Sequence, residues 1–153
     1  MNIKENKMMK LGLDFHGVIT DNNNFFKLLA STIMATGGEV HIITGARYDT
    51  FERQCKELDV YVPYTNFFSI SDYHIDIGTP VDLTDTGFPK MDTMIWDKTK
   101  ANYCREHGID LMIDDSPHYG KHFTTPYMLY RNELNADMFK WDLVKEIRGR
   151  TTK

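Results

Sequence analysis

Polar side chains stand where three apolar runs stop, and their types are those that handle phosphate or a metal ion. Asp14 follows Leu11-Gly-Leu13 and is trailed by Gly17. Thr44 ends Val40-His-Ile-Ile-Thr44 and is followed by Gly45. Asp114 and Asp115 follow Ile109-Asp-Leu-Met-Ile113, and Ser116-Pro117 breaks the chain after them. A lone carboxylate delivered to the end of a buried strand suits a nucleophile or a metal ligand. Two adjacent carboxylates repel each other, and a bound cation relieves that repulsion. Each residue also has a plain use: Asp forms turns and caps helices, and a strand can simply end in Thr. Convergence favours chemistry, because ligands bind at the carboxyl ends of the strands in an open parallel sheet. Arg47, just past Thr44, can reach a substrate from there, or serve only the surface. His118 and His122 lie four apart, as two metal ligands on a helix face would, but Pro117 and Gly120 argue against a long helix there.

The elements that must position these residues alternate. Met9 to Phe15 reads as a first strand, apolar with little alternation, as a central strand covered on both faces would be. Phe25 to Thr36 reads as a helix after the capping loop Asp21-Asn-Asn-Asn24, with Phe25, Phe26, Leu28, Leu29, Ile33 and Met34 as its apolar stripe. Gly37-Gly38 stops it. Val40 to Thr44 is a second strand and Asp49 to Leu58 a second helix, capped by Asp49 or Thr50. A strand is expected around Phe67 to Ile70, a helix over Thr99 to His107 ended by Gly108, a strand over Ile109 to Ile113 and a short one over Tyr127 to Tyr130. Asn135 to Arg148 reads as an amphipathic helix. Strand and helix in alternation imply an α/β, Rossmann-like three-layer fold with a central parallel sheet. The chain reads as one domain over 1–153, in which residues 60–97 form an irregular, β-rich segment that includes a small flap.

Composition sets the class. The 153 residues carry 41% hydrophobic and 26% charged side chains, an ordinary globular balance for one domain. A net charge of −4 argues against a nonspecific nucleic-acid binder. Cys55 and Cys104 have no Cys or His neighbour at zinc-like spacing and read as reduced, half-buried helix residues. The Lys-rich start is followed by no apolar signal core, and no apolar run is long enough to span a membrane. A cytoplasmic protein without a membrane partner is expected.

The order of these strand ends resembles that of the haloacid dehalogenase (HAD) superfamily of phosphohydrolases, over roughly residues 9–130. Asp14-Phe-His-Gly-Val18 is similar to the first motif of that family, Asp-x-Asp-Gly-(Val/Thr). Ile42-Ile-Thr-Gly45 is similar to the second, and Lys100 with Asp114-Asp115-Ser-Pro117 to the third and fourth. The resemblance implies Asp14 as nucleophile, Thr44 as the hydroxyl that holds the phosphoryl group, and Asp114 and Asp115 as holders of Mg²⁺ together with Asp14 and the backbone carbonyl of His16. It implies a screening lysine, for which Lys98 competes with the better-spaced Lys100. Gly17, Gly45, Arg47 and Lys98 are the substrate-binding candidates. General chemistry is consistent with these roles, since a carboxylate attacks phosphorus only where cations screen the repulsion.

The chain departs from the family at position 16, where His replaces the acid/base Asp. An imidazole is suited to that work, so changed pH dependence and slower turnover are expected. The implied activity is a Mg²⁺-dependent phosphatase on a small phosphomonoester, a nucleotide or sugar phosphate, through an aspartyl-phosphate. The short span between Asp14 and Thr44 excludes a large cap there, so the site can be open enough for a polynucleotide end or another macromolecule. The competing reading is a catalytically impaired binding or regulatory protein on the same fold. A phosphoacceptor receiver domain fits poorly, because its acidic pair precedes the phosphorylated Asp in the chain.

Overall fold

The computed structural model describes residues 7–84 and 88–131. The helix expected over 135–148 lies outside them. Five strands form one all-parallel sheet: β1 (Lys10–Leu13), β2 (Glu39–Thr44), β3 (Asn66–Ser69), β4 (Leu111–Asp114) and β5 (Tyr127–Leu129), in the order 3-2-1-4-5. The helices are α1 (Asn23–Ala35), α2 (Tyr48–Leu58), α3 (Ile70–Asp76), α4 (Thr93–His107) and the single turn α5 (Pro117–Gly120). This is the Rossmann-like α/β architecture that the strand–helix alternation implies.

Strand alternation sorts the core into two layers. Leu11, Leu13, Val40, Ile42 and Ile113 join Phe26 and Ala30 of α1 and Phe51 of α2 in one cluster. Ile43 and Met112 join Tyr103 and Cys104 of α4 in the other. A Cβ at Gly12 would come within 2.7 Å of Met112 Sδ and 3.0 Å of Ile43 Cδ1, so a side chain there would make both neighbours shift. The chain runs from β1 outward to β3 with α1 and α2 on one face. It then returns to β4 on the other side of β1, with α4 on the opposite face. The sheet therefore reverses its winding between β1 and β4, and a crevice opens at their carboxyl ends.

Several local expectations are corrected. In α1 the buried residues are Phe26 and Ala30, while Phe25 and Leu28 are 52% and 68% exposed. Side chains four apart share a face, and those two point away from the face that Phe26 sets. Neither Asp49 nor Thr50 caps α2. Its N-terminal Tyr48 N–H donates to the carboxylate of Asp72, far along the chain, at 2.8 Å. Residues 60–97 hold the unexpected helix α3, capped by Ser69, whose Oγ accepts from Asp72 N–H. They also hold the first turn of α4, which starts at Thr93 rather than Thr99 with Asp92 as its cap. Among the described residues of that segment, one antiparallel bridge joins Asp82 to Lys90. Both cysteines are free; Cys55 is half-buried but Cys104 is fully buried. No described helix is long and apolar enough to cross a membrane.

Two histidines are buried by this packing. His41 donates from Nε2 to Glu39 Oε2 at 2.8 Å and accepts at Nδ1 from the Tyr103 hydroxyl at 2.7 Å. Lys10 and His107 are the other charged or titratable neighbours, and both oppose a charge on the ring. His74 donates to Thr99 Oγ1, whose own proton goes to Ile95 O, and accepts from Thr79 Oγ1, each at 2.8 Å. Burial lowers the proton affinity of both rings below the ordinary 6.5, against the pull of Glu39 in the case of His41. At these two rings the unfolded chain thus takes up protons first as pH falls. The stability from the neutral rings is complete above about 6.5 and erodes below it, by at most ~1.4 kcal/mol per pH unit for each ring. The raised carboxylates of the crevice act in the opposite direction in parent and variant alike, so in urea denaturation the stability of His41→Gln/His74→Gln relative to the parent should rise from pH 7.5 to 5.5. An unchanged relative stability would contradict this account.

Candidate functional site

The crevice between β1 and β4 collects residues from four parts of the chain. Asp14 follows β1 directly, and its N–H donates to Ile113 O at 3.0 Å, which extends the ladder to β4 by one rung. Asp114 is the last residue of β4 and Asp115 the next. Pairing of Leu13 with Ile113 therefore sets Asp14 beside this acidic pair. One carboxylate oxygen from each of Asp14, Asp114 and Asp115 lies within 4.8 Å of the other two. Asp14 is 6% exposed and Asp114 not at all.

Lys100 answers this charge from α4. Its side chain is buried, and Nζ donates to Asp14 Oδ1 at 3.0 Å and to Asp114 Oδ2 at 2.7 Å. Nζ also lies 4.8 Å from the centroid of the Tyr119 ring, a cation–π contact. Tyr119 in turn accepts at its hydroxyl from Trp96 Nε1 at 2.9 Å. The second oxygen of Asp114 accepts from Ser116 N–H at 3.0 Å, as a turn-forming Asp does.

Burial dominates the electrostatics of the three carboxylates. It raises all three above the usual range, Asp114 to about 6, and Lys100 opposes this. Asp14 and Asp115 share a hydrogen bond that raises Asp14 further and holds Asp115 back. Burial by itself disfavours the Lys100 ammonium, but Asp114 and Asp14 together overcome it and hold the proton firmly. Fully ionised, three carboxylates against one ammonium leave two negative charges in excess. An all-oxygen carboxylate set with that excess fits a hard divalent cation such as Mg²⁺. Asp14, Asp114 and Asp115 are the residues that could hold it.

The turn after Asp14 is shaped by Gly17, whose φ of 75° suits a residue without Cβ. Its N–H donates to Thr20 Oγ1 at 2.9 Å, so Gly17 contributes conformation there. The His16 ring stands outside the acidic group and donates from Nε2 to Gln54 Oε1 of α2 at 2.6 Å. Thr44 is fully buried at the end of β2, and its Oγ1 accepts from Ala46 N–H at 3.2 Å. That contact uses a lone pair and leaves the hydroxyl proton for another acceptor. Gly45 is covered: a Cβ there would lie 2.8 Å from Trp96 and 3.6 Å from Phe88.

Two candidates stand apart. Arg47 pairs with Asp72 Oδ1 at 3.0 Å, a contact that ties α2 to α3. Lys98 is exposed and lines a cavity of about 440 Å³ between α3 and α4 with Phe68, Tyr73 and Ile95, away from the Lys100 ammonium. Adjacent helix positions differ by about 100°, so Lys98 and Lys100 diverge by more than half a turn. Sequence reasoning missed Tyr119, Trp96 and Gln54. No local pattern marks them, because each meets its partner only through tertiary packing. The lining of the cavity of about 390 Å³ bounded by Phe15, Phe51 and Cys55 includes none of Asp14, Asp114 and Asp115.

Two outcomes follow from the charge arrangement. Lys100→Met strands two buried carboxylates and should lower unfolding free energy by about 3–5 kcal/mol in urea titrations without divalent ions; a loss below ~1 kcal/mol would contradict the ion-pair geometry. Mg²⁺ at a hundredfold excess over its dissociation constant should stabilise the fold by about 2.7 kcal/mol. The melting temperature with and without Mg²⁺ reads this, and Asp114→Asn with Asp115→Asn should abolish the increment. An equal increment in that double variant would place the ion elsewhere.

Comparison with protein-family models, with curated proteins and with solved structures finds no match for this chain. The parallel α/β sheet and the acidic group at its switch point are what the structure itself establishes.

Proposed function

We propose that the protein is a Mg²⁺-dependent phosphohydrolase of the HAD type that cleaves phosphomonoesters, with Asp14 as nucleophile. The observation that carries this reading is the buried Lys100 ammonium held between Asp14 and Asp114 at the ends of adjacent central strands. A structural ion pair does not require three carboxylates. A centre that receives a phosphoryl dianion requires screened carboxylates, one of them free to attack.

The protein's groups divide the work as follows. An oxygen of Asp14 attacks phosphorus, the bond to the ester oxygen breaks, and an aspartyl-phosphate forms. Lys100, already against Asp14, screens the approach of the two anions and favours the ionised carboxylate. The Thr44 hydroxyl donates to a phosphoryl oxygen. His16 gives a proton to the leaving oxygen and later takes one from water. Water then hydrolyses the aspartyl-phosphate and returns the carboxylate. Mg²⁺ held by Asp14, Asp114 and Asp115 would supply further charge neutralisation at the phosphoryl oxygens. Small phosphomonoesters such as nucleotides or sugar phosphates are the proposed substrate class.

The test is hydrolysis of para-nitrophenyl phosphate with Mg²⁺. Asp14→Asn should lose activity by about 10³-fold or more, given that covalent and positioning effects are both removed. His16→Asp should remain active if position 16 serves as acid/base. No hydrolysis by the parent across pH 5–9, with Asp14→Asn indistinguishable from it, would favour a non-catalytic binding protein instead.

A further inference from the structure

The His16 ring is fixed on three sides, and the contact that fixes its proton comes from α2. Gln54 is half-buried on that helix, and its Oε1 lies 2.6 Å from His16 Nε2. A carboxamide oxygen only accepts, so Nε2 carries the hydrogen. In the neutral ring the lone pair is then on Nδ1. Phe15 meets the imidazole edge to face at 5.0 Å between centroids, and Phe88 lies at 6.1 Å.

Core packing determines where Gln54 stands. Thr50 and Phe51 are the buried residues of α2, and Phe51 packs edge to face on Phe15 at 4.8 Å. Gln54 follows them by four and three positions, so it projects from the same side of the helix. The start of α2 is pinned through Tyr48 N–H and Arg47 to Asp72. A single aromatic contact, Phe15 to Phe51, thus sets both partners of the His16–Gln54 bond. The carboxamide is neutral, so it adds no charge beside an acidic group that already has an excess.

We propose that Gln54 is a positioning residue that orients the His16 ring by accepting from Nε2, so that Nδ1 is the nitrogen that exchanges a proton with the reacting oxygen. This rests on the phosphohydrolase reading above. In the first half-reaction the ring starts with a hydrogen on both nitrogens; the Asp14–phosphorus bond forms, the ester bond breaks, the leaving oxygen takes the electron pair and the Nδ1 proton, and the ring is left in its Nε2–H form. In the second, water gives a proton to Nδ1, its oxygen bonds to phosphorus, and the bond to Asp14 breaks. Gln54 keeps the Nε2 hydrogen in place through both.

The test uses the full chain with Mg²⁺ and two aryl esters of similar size, phenyl phosphate and para-nitrophenyl phosphate. Phenoxide is the poorer leaving group and needs the proton more. Gln54→Leu keeps the bulk and removes the acceptor. It should lower kcat for phenyl phosphate by about tenfold or more, a fraction of what acid/base groups typically contribute, and for the nitrophenyl ester by less than about threefold, with KM unchanged. Gln54→Glu, which still accepts, should restore the ratio. In a His16→Ala background Gln54→Leu should have no further effect. Nitrogen NMR of the neutral imidazoles should show the Nε2–H tautomer for His16 in the parent and a mixture in Gln54→Leu. Equal losses on both esters, additivity with His16→Ala, or an Nδ1–H ring in the parent would each overturn the proposal. A parent inactive on both esters would instead sink the phosphohydrolase reading, while the NMR spectrum would still decide whether Gln54 sets the ring.

Discussion

A buried ammonium dictates the centre of this molecule. Lys100 is 1% exposed, and its charge has to be answered inside the protein. Asp14 and Asp114 answer it from two neighbouring strands, and the Tyr119 ring covers part of it. The arrangement works only if β1 and β4 are paired in one register, because a slip of one residue would turn either carboxylate to the opposite face. Secondary structure, register and site electrostatics are therefore one constraint. Ion pairing of this kind adds little net stability over an apolar core of the same shape, yet it is costly to break. That asymmetry makes each member of the cluster costly to remove by itself.

The sheet topology supplies the place for this cluster. Because the chain winds outward from β1 to β3 and then returns beyond β1 to β4, the two central strands are followed by helices on opposite faces. Their carboxyl ends are left uncovered by either crossover. Asp14 and the acidic pair fall in that gap. Thr44, at the end of β2, lies on the neighbouring strand. The excess negative charge of three carboxylates explains why protons or a cation must join them, and it unites the metal and phosphoryl readings in one site.

Support for the site reaches well beyond the residues that would touch a substrate. Asp72 caps α2 and pairs with Arg47, Ser69 caps α3, and Trp96 holds the Tyr119 hydroxyl. These contacts fix the starts of α2 and α3 and the ring that covers Lys100. Arg47 illustrates how a residue near a site can be occupied in holding the scaffold. His16 illustrates the opposite case: a side chain outside the acidic group is oriented toward a partner that only the fold brings near.

The local sequence determined most of the architecture and the identity of the acidic residues. Apolar runs that end in Asp14, Thr44 and Asp114-Asp115 specify buried strands with polar ends, and alternation with helical segments implies a parallel sheet. These signals are short-range, since strand burial and helix periodicity are written within a few residues. The preference for Lys100 over Lys98 came from how its spacing to the acidic pair resembles the family segment, but why the two diverge is a matter of helix geometry. The contributions of Gln54, Tyr119 and Trp96, the capping of α2 by Asp72 and the helix α3 were decided by tertiary structure. Each depends on groups brought together from distant segments or on a Ser cap masked by β-prone neighbours. Burial was likewise invisible: the sequence shows that Asp14 and Lys100 are charged, and only the packed sheet removes them from water and makes each the necessary partner of the other.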